Sequence, residues 1–177
     1  AVGDITKHTE FPDKTFSFVN SVAVLEHIFD LPSAFTEMSR ILKDDGLMIH
    51  SYDPYFHPAG GHALGILDNP WNHLCLNENE YVRYMKENRP HEEEDAISWY
   101  KHGINRSYPC SEMLYLLHKA NFEVLYWRTD YIDNKSIQSL NAEIIFQASK
   151  NYQGLSFQDF ISNKHTFIAR KKISKDV

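Results

Sequence analysis

A chain of 177 residues is long enough for one domain with a real core, and its 42% hydrophobic and 24% charged fractions are those of an ordinary globular protein. A net charge of −6 excludes a broad basic surface, so a nucleic-acid backbone is not expected as the main partner. Cys75 and Cys110 lie far apart and outside any Cys-x-x-Cys pair, which excludes a disulfide framework and makes a reducing, cytoplasmic compartment the default.

No apolar run reaches the ~18 residues of a membrane span, and no signal-peptide pattern is present, so no membrane role is expected. Phe16–Val22 is short and rich in β-formers with apolar residues toward both faces, which predicts a strand buried in a parallel sheet. Asp30 can cap the helix that follows, with Pro32 in its first turn. Phe35, Met38, Ile41 and Leu42 recur at helical spacing and should face the sheet. Gly46 suits a left-handed position after the helix, and Leu47–Tyr52 reads as the next strand. Strand, helix and strand in so short a stretch predict a right-handed crossover of the doubly wound α/β type.

From Asp53 the character changes. Pro54, Pro58, Gly60, Gly61, Gly65 and Pro70 break regular structure, while Tyr55, Phe56, His57, His62, Trp71 and His73 crowd the same stretch. A long loop inside a compact domain is commonly functional. Helices are expected over 77–87 and 92–100, the latter opening on the acidic run Glu92–Asp95. A helix over 111–119 should stop at Asn121, followed by a strand over 122–127, a helix over 136–149 and a closing strand over 165–170. The domain organisation expected is a single domain over 1–177 with a loop and helical insertion at about 53–108. The basic cluster Arg170-Lys171-Lys172, with Lys175, reads as a solvated strand end and tail.

The ordered string Gly3-Asp4-Ile5, Phe11-Pro12-Asp13, Phe16-Ser17-Phe18-Val19, Val24-Leu25-Glu26-His27, Glu37, Arg40-Ile41-Leu42-Lys43 and Gly46-Leu47-Met48-Ile49 resembles the second half of the cofactor-binding core of class I S-adenosylmethionine-dependent methyltransferases, the type-11 group in particular. Residues 103–172 resemble the last helix and antiparallel strand pair of that family more loosely. The resemblance implies the carboxyl-terminal part of a Rossmann-like α/β fold, with a mixed sheet ending in an antiparallel pair. Ser17 stands where the family usually has Asp, and Lys43-Asp44-Asp45-Gly46 replaces its usual Lys-Pro-Gly-Gly.

The resemblance also implies roles. Asp4 would accept from the adenine amino group, where an ionised acceptor strengthens the bond, and Ile5 would offer its N–H to the ring. Ser21, Val22 and Ala23, at the carboxyl end of their strand, would border the methionine arm. A metal-dependent branch of the family carries Glu-x-x-Glu-His here, but position 23 is Ala, so no metal is expected at Glu26-His27. His27, His57 and His62 are candidate bases, and Tyr52, Tyr55, Trp71 and His73 candidate walls for the methyl acceptor. Glu37 and Arg40, three apart on one helix, read as a structural pair.

The family's glycine-rich cofactor turn is not among these residues, and the chain opens on Ala1 rather than Met. Roughly 70–100 further residues upstream are therefore expected. Without them the strand at 16–22 would have a bare apolar edge, to be covered by a second copy or a partner. The activity implied is methyl transfer from S-adenosylmethionine to oxygen or nitrogen of a small-molecule or glycan-like acceptor. The rival reading is a non-catalytic methyltransferase-like binding module that has lost its cofactor half.

Overall fold

A computed structural model describes residues 3–173. The chain runs β1 (Phe16–Val22), a 3-10 turn (Leu25–His27), α1 (Leu31–Ile41), β2 (Leu42–Tyr52), α2 (His62–Gly65), α3 (Asn72–Cys75) and α4 (Glu78–Asn88). It continues through α5 (Glu93–His102), α6 (Cys110–Lys119), β3 (Phe122–Tyr131), α7 (Asn134–Ser139), α8 (Ala142–Asn151), α9 (Phe157–Ile161) and β4 (Ser162–Lys171). Two compact units result: residues 3–52, 110–129 and 165–173 form the first, and residues 53–109 and 130–164 the second. Among the described residues, no helix is long and apolar enough to cross a membrane.

The sheet has the strand order β1-β2-β4-β3. β1 and β2 are parallel, joined by α1, whose first turn is held by Asp30 accepting from Ser33 N. β2 and β4 are antiparallel, with Met48 opposite Ala169 and His50 opposite Phe167. The N–H of Lys172 donates to Asn121 O at one end of the β3–β4 pair, and that of Ile132 to Ile161 O at the other, so these strands also run in opposite directions. The mixed α/β sheet and its closing antiparallel pair are as expected.

Period-2 alternation decides the faces. Met48, His50 and Tyr52 on β2 are buried with Phe167 and Ala169 on β4, while Leu47, Ile49 and Ser51 are half-buried. α1 packs against β2 and α6, burying Leu31, Ala34, Phe35, Met38 and Ile41 on one side and Met113, Leu116 and Leu117 on the other.

Three local expectations need correction. The faces of β1 were expected to be buried, but on this edge strand Phe18 and Val22 are 46% and 69% exposed. The left-handed residue after α1 is Asp45 at φ 58°, not Gly46. Gly46 is required for space instead, since a Cβ there would lie 2.7 Å from Lys43 O. In the basic cluster, Lys171 is buried, its Nζ donating to Leu42 O at 2.8 Å, and Arg170 pairs with Glu123; Lys175 lies outside the described residues.

The second unit joins its two segments through one apolar cluster of Tyr55, Phe56, Trp71, Leu74, Ile104, Ala148 and Phe160. α3 packs on α8, and Asn151 Nδ2 donates to Leu74 O at 2.9 Å. A second cluster, Leu67, Tyr81, Met85, Ala96 and Tyr100, fills the space between α4 and α5. α4 opens on a reciprocal capping box between Asn77 and Glu80. The single helix expected over 136–149 is two, because Asn141 leaves helical geometry and caps α8 by accepting from Ile144 N. α9, capped by Ser156 and Asp159, was not foreseen.

An edge strand with exposed apolar residues templates association. Phe18→Lys with Val22→Thr is expected to keep stability within about 0.5 kcal/mol, as for surface positions, while lowering concentration-dependent light scattering. Unchanged scattering would remove the β1 edge as its source.

Candidate functional site

The amino-terminal loop is built around two carboxylates. Asp4 Oδ1 accepts from Thr6 N at 3.0 Å and from Thr6 Oγ1 at 2.7 Å, and Lys7 Nζ stands 3.5 Å from Oδ2. The Thr6 bonds and Lys7 hold the Asp4 carboxyl below the usual carboxylate range. It remains half-exposed, with lone pairs left for a further donor. Asp4 and Ile5, with Gly3 and residues 7–11, line a hollow of about 590 Å³. That volume lies in the range of small-molecule sites.

Glu37 fixes this loop to α1. Its Oε1 accepts from Thr9 N at 2.8 Å and Thr9 Oγ1 at 2.6 Å, and both its oxygens take Arg40, at 2.8 Å from Nε and 2.6 Å from Nη2. Arg40 reaches on to Asp13 at 2.6 Å, and its carbonyl accepts from Lys14 N. The expected Glu37–Arg40 pair is thus present and carries the loop with it. Arg40 above all, then Thr9, pulls the Glu37 carboxyl down to about 2 against its burial.

At the carboxyl ends of β1 and β2, Ala23 adopts φ 53° and donates its N–H to Ser51 O at 2.9 Å. A left-handed alanine costs about 1–2 kcal/mol, and such outliers concentrate where geometry is needed for function. Ser21 Oγ lies 2.6 Å from His50 Nδ1, and Val22 is exposed. The 3-10 turn that follows buries Leu25 and Glu26 and leaves His27 exposed. Further along the sheet, His165 is buried with its Nδ1 3.0 Å from Thr129 Oγ1, its ring against Tyr52 and Trp127.

The second unit places the loop aromatics mostly inside. Trp71 is fully buried at φ 59°, its Nε1–H donating to Phe160 O at 3.0 Å. Tyr55 OH donates to His73 O and accepts from Tyr152 OH, and His73 Nε2 lies 2.9 Å from Tyr55 O. Gly60 permits this coil, since a Cβ there would fall 1.9 Å from Tyr55 O. Tyr55, Trp71 and His73, expected to wall the acceptor, therefore serve as packing and hydrogen-bonding members of a core. Burial, with neighbouring His62 and His73, drops His57 to about 3, and burial, with His62, drops His73 to about 4 against its bond to Tyr55 O. Both rings are neutral near pH 7, and a group so acidic is poorly matched to take up a proton there. His62 is half-buried, 6.1 Å from the His57 ring.

Residues 1–50, the β1–α1–β2 region with its preceding loop, match the family described as "Methyltransferase domain". Those residues resemble the class I S-adenosylmethionine-dependent methyltransferase domain, and the chain shares the Rossmann-like fold of that class. Solved structures agree with this domain in fold. A Bacillus halodurans protein classed with the methyltransferases is 18% identical with a TM-score of 0.51, covering 97% of this chain and 70% of its own. A Mesorhizobium loti S-adenosylmethionine-dependent methyltransferase is 15% identical with a TM-score of 0.52, covering 96% and 67%. The geranyl diphosphate C-methyltransferase of Streptomyces coelicolor, solved with Mg²⁺, geranyl diphosphate and S-adenosylhomocysteine, is 14% identical with a TM-score of 0.52, covering 97% and 51%. No curated protein matches the chain by sequence.

Among the residues with polar or ring contacts on the sheet, His50, Trp127, Thr129 and His165 were not expected from the sequence. The signal was there for His50, which falls on the inward positions of its strand with Met48 and Tyr52. It was weaker for the others, because Trp127 and His165 meet only through strand pairing.

Two outcomes test these arrangements. Glu37→Gln removes a charge-assisted hub and should cost about 2 kcal/mol in urea unfolding. Because Glu37 is lowered from 4.5 to about 2 in the fold, its contribution is complete above pH 4.5 and is lost as pH falls toward 2. The Glu37→Gln variant should therefore show a flatter loss of stability across that window than the native chain. Trp71→Phe leaves the Phe160 carbonyl without its indole donor and should cost about 1–3 kcal/mol; a change below 0.5 kcal/mol would show that this bond does not hold the two segments together.

Proposed function

We propose that this domain belongs to an enzyme that moves a methyl group from S-adenosylmethionine to an oxygen or nitrogen of a small-molecule or glycan-like acceptor. The observation that carries the reading is the hollow lined by Asp4 and Ile5, within the region that matches the methyltransferase family. Asp4 would hold the adenine amino group through the lone pairs that Thr6 leaves, and Ile5 would present its N–H. Ser21, Val22 and Ala23 would border the methionine arm at the carboxyl end of β1, the edge where open α/β sheets bind ligands.

When bound, the cofactor supplies an electrophilic methyl on a positive sulfur. The remaining work of the protein is to align the acceptor, exclude water and receive a proton. His27, exposed on its 3-10 turn, is the candidate to take the acceptor's proton on a ring nitrogen. In the second unit the accessible candidate is His62, while His57 stays neutral behind it.

Titration calorimetry with S-adenosylhomocysteine on the intact natural protein tests this reading. Asp4→Ala is expected to weaken binding about tenfold or more, the worth of one charge-assisted hydrogen bond, and Asp4→Asn less. Binding unchanged by either substitution would remove Asp4 from the adenine site. A protein indifferent to the nucleoside but captured by a single protein partner would favour a binding module.

A further inference from the structure

His50 is fully buried on β2, yet its hydrogen bonding is half complete. Nδ1 meets Ser21 Oγ at 2.6 Å, and Nε2 is buried with no partner. Burial lowers the ring to about 4, so it is neutral at physiological pH and carries one proton. Two arrangements are open to a neutral ring. If the proton sits on Nε2, the Ser21 hydroxyl must donate to Nδ1, and a buried N–H is left with nothing to bond. If it sits on Nδ1, that N–H donates to Ser21 Oγ and Nε2 keeps a bare lone pair. Orphaned buried N–H donors are the rarer defect in folded proteins. The second arrangement is therefore preferred, and it changes what Ser21 can do. With Oγ accepting from His50, the serine proton is free.

Ser21 is half-buried at the carboxyl end of edge strand β1, two residues before the left-handed Ala23. Its hydroxyl makes no other hydrogen bond among the described residues. We infer that His50 is a positioning residue: held as the Nδ1–H tautomer, it fixes the Ser21 hydroxyl as an outward donor for a carboxylate or similar acceptor group on the ligand bound at this strand end. Resting on the functional reading above, this group is the carboxylate of the amino-acid arm of S-adenosylmethionine. His50 does not touch the ligand. It acts through Ser21, and a hydrophobic residue in its place would leave the serine rotor unguided.

Long-range ¹H–¹⁵N spectra of the intact protein read the tautomer directly, with no variant required. A protonated Nδ1 and a bare Nε2 on His50 are expected; the opposite assignment would overturn the inference. Binding of S-adenosylhomocysteine supplies the second readout. Ser21→Ala and His50→Leu should each weaken it about tenfold, the value of one hydrogen bond to a charged group. The double variant should be no weaker than either single one, because both remove the same bond. His50→Asn, whose side-chain amide can stand where Nδ1 stands, should recover affinity to within about threefold of the native protein, a rescue that loss of packing alone would not give. Native binding with full affinity in folded Ser21→Ala sinks the inference and leaves the methyltransferase reading intact. Absence of binding in the native protein sinks both.

Discussion

The first unit depends on one carboxylate. Glu37 projects from α1 into the amino-terminal loop and accepts from a backbone N–H, a hydroxyl and a guanidinium at once. The loop is coil from Gly3 to Thr15, and beyond Glu37 it is held by Arg40 on Asp13 and by Lys14 on Asp44. A coil of that length is ordinarily free to sample many shapes at about 1–2 kcal/mol of backbone entropy per residue fixed. Anchoring it through a helix residue ties the position of Asp4 and Ile5 to the rigid crossover rather than to the loop itself. The helix in turn is fixed by its apolar face on β2 and α6, so the hollow inherits the rigidity of the sheet.

The same economy recurs with buried imidazoles. His50, His57 and His73 are all held neutral by burial, and His50 and His73 lie where two chain segments meet. His50 ties β2 to β1, and His73 ties α3 to the Tyr55 segment. Neutral imidazole offers one donor and one acceptor at fixed geometry without the cost of a buried charge. Left-handed non-glycine residues, Ala23, His62, Ala63 and Trp71, sit at the turns between these contacts. They are held because the surrounding hydrogen bonds and packing over-determine them.

How far the sequence foretold this varies by element. The β1–α1–β2 crossover was legible, because Asp30, Pro32 and the spacing of Phe35, Met38 and Ile41 are local signals that agree with one another. So was α4, whose cap and acidic start are adjacent in sequence. The bare edge of β1 was legible, but the exposure of its faces was not: apolar residues toward both faces read as double burial, whereas what covers a face is a property of the whole fold. The split at Asn141 hid inside a helical pattern that continues across it. At the site, Asp4, Ile5 and Ser21 were reached through a family likeness rather than through chemistry readable in isolation. Trp71 and Tyr55 looked like a pocket wall because a loop rich in aromatics and prolines gives no periodicity from which inside and outside can be told. Their partners, Phe160 and Tyr152, lie 89 and 97 residues away.

Those separations bear on how the molecule is made. The second unit is discontinuous, its first segment ending at Pro109 and its last at Lys164. On a ribosome adding about 5–20 residues per second, the intervening stretch takes roughly 3–11 s to emerge. Throughout that interval Trp71 has no Phe160 carbonyl to donate to, and the Leu74 carbonyl has no Asn151 amide. The loop of aromatic residues is therefore nascent apolar surface for seconds before it becomes a core. Residues 53–109 form half of a core whose other half, residues 130–164, is made later.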